Sequence, residues 1–307
     1  MSKPNSQPGI QSSTLSDKLP NNPGTNAVAE KSIAPLKISL SQTTTLRWSM
    51  AEEVFQLRQT GFDAIGMWRP KLADIGEHKA VELLRDSRLS VSSLSFAGGF
   101  TGGCGFSYVD AIADGRQAID QAEAIGAKTV VVVGGPRGSH TINHSRKLVV
   151  DGLKSLADFA ELAGVTLSLL PMHPFFSKRW TFVNSLDQTL DVLSRVDRSI
   201  VGMAFDTYHL WEEPGLLERI PVIAPLTHVV QIGDCRQSPQ CEQDRLIPGQ
   251  GILPLTQIVQ AFQSGGFAGF FDVQVWSGNV WRSNYIHSIE QAHAAVKSMS
   301  LRVPVTK

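Results

Sequence analysis

Eight short, nearly continuous apolar runs recur along this chain at intervals of roughly 30 residues, and that repeat constrains the fold more than any other feature. They are LKISL (36–40), FDAIGMW (62–68), LSVSSLSF (89–96), TVVVVGG (129–135), VTLSLLP (165–171), IVGMAFD (200–206), THVVQIGD (227–234) and FAGFFDVQVW (267–276). Runs without polar alternation are strands buried on both faces, as parallel sheets require. Between them lie segments such as SMAEEVFQLRQTGF, VDAIADGRQAIDQAEAIGA, SRKLVVDGLKSLADFAELAG and LDQTLDVLSRV, whose apolar residues fall at i, i+3, i+4 and i+7. Gly61, Gly126, Gly164 and the pair Gly265–Gly266 stand where helices should stop. Eight strand–helix units in about 270 residues match a (β/α)8 barrel. A doubly wound sheet would more usually show five or six strands and a glycine-rich phosphate turn after the first; here SQTTTLRWS follows, with no GxGxxG. The expected class is therefore α/β, a single TIM-barrel domain over 35–303. Residues 1–34, rich in Ser, Pro, Asn and Gly without periodicity, are expected to form a disordered tail.

Charge balance narrows the function. Lys plus Arg number 28 against 28 Asp plus Glu, so the uncompensated basic surface that nucleic-acid binding needs is missing. The three cysteines, Cys104, Cys235 and Cys241, form no CxxC and suggest neither a disulfide framework nor a zinc ribbon. No apolar run approaches the roughly 18 residues that cross a bilayer, and the start lacks the apolar stretch of a signal peptide. The expectation is a soluble, cytoplasmic protein whose partner is a small molecule, not nucleic acid or membrane.

In a (β/α)8 barrel, chemistry sits at the C-terminal strand ends and in the loops that follow them. Here those loops are long and polar, whereas the returns are short. All six tryptophans fall on that face, and Trp68, Trp211 and Trp276 are candidates for flat walls of a pocket for a ring-shaped polyol, against the plainer alternative of packing the loops onto the rim. Asp206 and His209 close the sixth run in FDTYHLW; the pair suits a metal ligand with a second polar contact, an Asp–His general base, or a loop cap beside a surface histidine. Arg137 in GGPRGSH is a candidate for a polyol or anionic oxygen. His140 and His144 have i, i+4 spacing but Thr141 where a metalloprotease carries its glutamate. AGGFTGGCGF lacks the Lys-Ser/Thr ending of a P-loop, and nothing basic adjoins Cys104 to activate it as a nucleophile.

LSLLPMHP, FDTYHLW, HVVQIGD with DRLIPGQG behind it, and GGFAGFFDVQVWSG, in this order from Leu36 to Ser300, resemble the xylose isomerase-like TIM barrels. These include sugar and sugar-phosphate isomerases and epimerases, inosose dehydratases and the endonuclease IV type of repair enzyme. The resemblance implies a divalent metal, Mn²⁺ or Mg²⁺, held by Glu on strand five, Asp on six, His or Gln on seven and Glu on eight, with the glutamates shuttling a proton through an enediolate. Matched position by position, this chain offers Leu170, Asp206, Gln231 and Gln274. A leucine has no lone pair, and an amide cannot accept a proton near neutral pH, so metal affinity should fall and both bracketing bases are gone. What the resemblance implies is a sugar or polyol isomerase or epimerase with a depleted metal site (Asp206, Gln231 and Gln274) and Asp206 and His209 as the surviving catalytic pair. His173 and Asp234 are further substrate contacts or relocated catalytic groups, and Asp272 is a third candidate one layer deeper. A non-catalytic carbohydrate-binding barrel is the alternative. The nuclease reading fails on the neutral charge and on Leu170 and Gln231 at ligand positions.

Overall fold

The computed structural model of the protein describes residues 35–102 and 106–300. Eight parallel strands close into a barrel: β1 (Lys37–Ser41), β2 (Ala64–Trp68), β3 (Ser90–Gly98), β4 (Thr129–Val133), β5 (Thr166–Leu169), β6 (Val201–Asp206), β7 (Thr227–Ile232) and β8 (Phe270–Val273). Six of them fall inside one of the eight apolar runs, β1 and β3 extend one and two residues past theirs, and β8 pairs with β1 from Lys37↔Phe270 to Leu40↔Val273. Helices follow the strands in turn; the main ones are Met50–Thr60, Glu77–Ser87, Tyr108–Ala124, Ile142–Ala163, Leu186–Val196, Leu216–Ile223, Leu255–Ser264 and Tyr285–Ser298. Short polar residues start several of them. Ser49, Ser107, Thr141, Ser185 and Asn284 each accept a hydrogen bond from a backbone N–H of the first turn, a contribution of about 1 kcal/mol per cap. Gly61 and Gly164 end two of them in the left-handed region.

The tail expected over 1–34, Cys104 and the final residues 301–303 of the expected domain lie outside the described residues. Cys235 is buried and Cys241 exposed, and both are free. Among the described residues, no helix is long and apolar enough to cross a membrane.

The strands bury two faces for different purposes. Outward side chains pack on the helices, as Phe205 does against Phe262, with ring centroids 4.9 Å apart. The inward face is polar to an extent that aliphatic barrel cores are not. Asp272 of β8 accepts hydrogen bonds from Ser39 of β1 and from Ser92 of β3. Because β3 and β8 do not pair, that contact runs through the lumen. A second lumen chain joins Thr129 Oγ1 to Ser168 Oγ at 2.6 Å and Ser168 Oγ to His228 Nδ1 at 2.9 Å. Gly66 makes the first arrangement fit: a Cβ there would lie 2.8 Å from both carboxylate oxygens of Asp272. In register, Asp206, Gln231, Asp272 and Ser39 are successive partners across β6, β7, β8 and β1. This ring of polar side chains forms the floor beneath the barrel mouth.

Candidate functional site

Asp206 is the last residue of β6, one position after outward-facing Phe205, so strand alternation turns it inward. It is fully buried. Its Oδ1 accepts the backbone N–H of Tyr208 at 2.9 Å, and its Oδ2 accepts from Nη1 of Arg245 at 2.8 Å. The same arginine donates through Nη2 to Nε2 of His209 (3.0 Å) and through Nη1 to the carbonyl oxygen of Gln274 (3.4 Å). Its guanidinium lies 4.4 Å from the centroid of the Tyr208 ring. Arg245 is only 5% exposed. It comes from the long loop after β7, inside the DRLIPGQG segment that carries part of the family resemblance, but it is not among the site residues expected from sequence.

Protonation states follow from these contacts. An arginine cannot accept a proton, so Nε2 of His209 presents its lone pair and the ring is neutral with hydrogen on Nδ1. Burial, with the guanidinium next to it, pushes His209 well below the usual histidine range. Burial also pushes the Asp206 carboxyl up, against the pull of Arg245. The one basic nitrogen of His209 is thus taken by the guanidinium, and both oxygens of Asp206 already accept a hydrogen bond, which makes this pair a poor base.

The space above this pair is a narrow cleft of about 50 Å³ at the mouth of the barrel. Phe96, Met172, Phe176, Trp180 and Trp276 form its walls together with Leu170. Its polar groups are His209, Arg245, Gln274 and Glu242. Glu242 is the second residue missed from sequence. It sits in the same loop as Arg245, and its Oε1 accepts from the indole N–H of Trp180 (3.0 Å) and pairs with Arg179 (3.1 Å). Gln274 Oε1 and Gln231 Oε1 are buried with no hydrogen-bond partner, as is Nδ1 of His209.

The other candidates are distributed as follows. Trp276 lines the cleft, and Trp68 meets it edge to face at 5.9 Å. Gln231 lies buried in the floor, between Asp206 and Asp272 in the register. Trp211 packs against the core with its indole N–H unpartnered. His173 pairs with Glu212 at 3.0 Å and Arg137 lines a separate surface cleft with Lys178; neither is part of the wall. His140 binds the carbonyl oxygen of Thr101, and its ring is tilted against that of His144 with centroids 4.9 Å apart.

Asp234 faces the loop rather than the cleft. Its carboxylate accepts four backbone N–H groups, from Cys235 (2.8 Å), Gly249 (3.0 Å), Gly251 (2.9 Å) and Leu253 (3.1 Å). Gly251 has to be glycine, since a Cβ would stand 2.2 Å from Asp234 Oδ1. At the other end, the Tyr208 hydroxyl donates to Asp244, whose second oxygen accepts Gln240 N–H and Cys241 N–H. The loop that carries Glu242 and Arg245 is thus pinned at both ends. Asp234→Ala should cost about 3 kcal/mol, because buried N–H groups lose a charged acceptor together. Thermal unfolding would show this loss, and limited proteolysis should cut the loop between 236 and 254 faster than in the wild type.

The chain belongs to the xylose isomerase-like TIM-barrel family, whose family model matches residues 54–300. It is 22% identical over 280 residues to an inosose isomerase of Bacillus velezensis, covering 86% of this chain and 97% of that protein. Among solved structures it is similar to a protein of Sinorhizobium meliloti 1021, with TM-score 0.80 and 29% identity over 86% of this chain and 98% of the other. It also resembles the IolI protein with a bound zinc atom, with TM-score 0.75 and 20% identity over 86% and 98% of the two chains.

A divalent metal does not fit the residues at the positions the family resemblance marks. Asp206 Oδ2 is already in an ion pair, the His209 lone pair is taken, and Leu170 is a buried hydrocarbon. Among the described residues, no group of three or more His, Cys, Asp or Glu side chains could hold a metal ion. Hard divalent ions need several anionic oxygens, and the four marked positions supply a single carboxylate, that of Asp206.

Proposed function

We propose that this protein binds a small keto sugar or keto polyol in the cleft and moves a proton between its carbonyl carbon and the neighbouring hydroxyl-bearing carbon. The observation that carries this reading is the unpartnered, buried Gln274 Oε1 at the base of an aromatic cleft. An orphaned acceptor calls for a hydroxyl donor, and tryptophan faces suit the C–H face of a sugar ring. The inosose isomerase likeness agrees with such a substrate.

Glu242 is the carboxylate that lines the cleft, and its role is that of the base. It takes the proton from the hydroxyl-bearing carbon, and the electron pair forms the C=C bond of an enediolate as the carbonyl π bond moves onto oxygen. The hydroxyl proton crosses to that oxygen, and Glu242 returns its proton to the former carbonyl carbon. One carboxylate on one face suits isomerisation between adjacent carbons, whereas epimerisation with bases on opposite faces would need a second.

Two measurements test this. Tryptophan fluorescence titrated with an inosose and with a ketohexose should saturate, and Trp276→Ala should weaken binding by about tenfold or more. Substrate incubated in D₂O should gain deuterium at carbon, and Glu242→Gln should slow that exchange by about 10²–10⁴-fold with binding retained. Binding without exchange in the wild type would favour a non-catalytic carbohydrate-binding barrel. That second reading draws on Leu170 and Gln274 standing where the family resemblance expects glutamates. No response to either compound would end the sugar reading.

A further inference from the structure

We propose that the Arg245 guanidinium is the resident cation of this site: it stands where the family resemblance places a divalent metal and makes the site independent of metal. Three contacts hold it there. The guanidinium binds the strand-six aspartate, the histidine three residues later and the backbone of strand-eight Gln274, at 2.8, 3.0 and 3.4 Å. These groups come from β6, the turn behind it and the end of β8, and they converge on one buried point that already holds a positive charge.

The surrounding changes are coherent with that replacement. A divalent ion needs the carboxylates that Leu170 and Gln274 lack, whereas a single guanidinium is balanced by Asp206 alone. Restoring either glutamate beside an Asp206–Arg245 pair would bury an excess negative charge. Arg245 is also positioned before any ligand arrives. The Tyr208 ring lies against its face, Asp244 next to it is tied to the Tyr208 hydroxyl, and Asp234 closes the far end of the loop. Preorganised positive charge is what stabilises oxygen anions without reorganisation.

The free edge of the guanidinium narrows the ligand class, and this step rests on the sugar reading above. Three of the five N–H donors are taken by Asp206, His209 and Gln274. Nε–H and one N–H on Nη2 remain, on a residue that lines the cleft. A two-pronged donor suits two neighbouring oxygens, so the ligand is an α-hydroxy ketone held by its carbonyl and adjacent hydroxyl oxygens. During proton transfer the developing enediolate oxygen lies against the guanidinium, which stays protonated throughout.

The metal content of the wild type tests the cation assignment without any ligand. Protein treated with EDTA, incubated with Mn²⁺ or Zn²⁺ and gel-filtered should retain far less than one equivalent by elemental analysis. The triple variant Leu170→Glu/Gln274→Glu/Arg245→Ala should retain about one Mn²⁺ per chain, visible by electron paramagnetic resonance. In fluorescence titrations with the inosose, EDTA or Mn²⁺ should leave wild-type affinity unchanged. Arg245→Met should weaken it at least about tenfold, and Arg245→Lys by less. Should Arg245→Met not fold, the neutral pair Asp206→Asn/Arg245→Met replaces it in the titration. A wild type that holds stoichiometric metal, needs metal to bind the inosose, or binds it equally well without the guanidinium overturns the assignment. If no form binds the inosose or a ketohexose while the wild type stays metal-free, the sugar reading fails and the resident cation stands.

Discussion

Asp206→Asn should lower the free energy of unfolding by about 3–5 kcal/mol, the cost of leaving a buried cation without its counter-charge. Asp206 is fully buried and Arg245 nearly so, so water cannot take over the lost partner. An asparagine keeps an oxygen for the Tyr208 N–H but not the charge on which the guanidinium rests. Arg245→Met should cost a similar amount for the mirror reason, since Asp206 would then be a carboxylate in an apolar pocket. The double variant Asp206→Asn/Arg245→Met removes both charges and should lose much less than the sum of the two. Urea unfolding of the four proteins at one pH measures the coupling directly. Additive losses would mean that the two side chains do not depend on each other, and the charge balance argued for the site would be wrong.

That pair also marks the boundary of what the sequence made legible. The barrel could be read because strand burial writes itself locally: TVVVV can only be a strand covered on both sides, and β4 is buried at all five positions. Asp206, His209 and Trp276 could be placed on the functional face because they sit at strand ends, whose direction the fold class dictates. Arg245 and Glu242 could not. They lie in the functional-face loop DCRQSPQCEQDRLIPGQG, whose DRLIPGQG carries part of the family resemblance but singles out neither side chain. Arg245 is 39 residues from Asp206, and no periodicity connects them. What bends the loop inward is the set of N–H groups gathered by Asp234, a residue whose type suggests a substrate contact as readily as a loop anchor. The tryptophans divide in the same way. Trp276 and Trp180 reach the cleft, whereas Trp48 packs on Tyr285 and Trp281 donates to the carbonyl oxygen of Thr43. Which face a large ring joins depends on three-dimensional packing that spacing does not encode.

Asp272 gives the second large effect, and its sign is opposite to that of an ordinary paired carboxylate. Burial raises it to about 7; hydrogen bonds from Ser39 and Ser92 pull it back, and Asp206 nearby pushes it further up. An unfolded aspartate releases its proton near pH 4. Between about pH 4 and 7 the folded state therefore holds the extra proton, and this group makes the protein less stable as pH rises through that window. A displacement of that size is worth on the order of 4 kcal/mol. His228, lowered to about 4 by burial, works the other way, because the unfolded state takes up the proton below about pH 6.5 and stability is lost as pH falls. In the wild type the two trends oppose each other. Asp272→Asn removes the falling trend and keeps the rising one, so its stability should climb more steeply from pH 5 to 7 than that of the wild type. The gap between variant and wild type should move in the variant's favour by several kcal/mol and level off above about pH 7. Urea unfolding at intervals from pH 5 to 8 measures that gap, and groups common to both proteins cancel from it. A gap that stays constant with pH would show that Asp272 titrates in the folded protein as it does in the unfolded chain, and the lumen of the barrel would then have to be wetter than its serine-lined geometry allows.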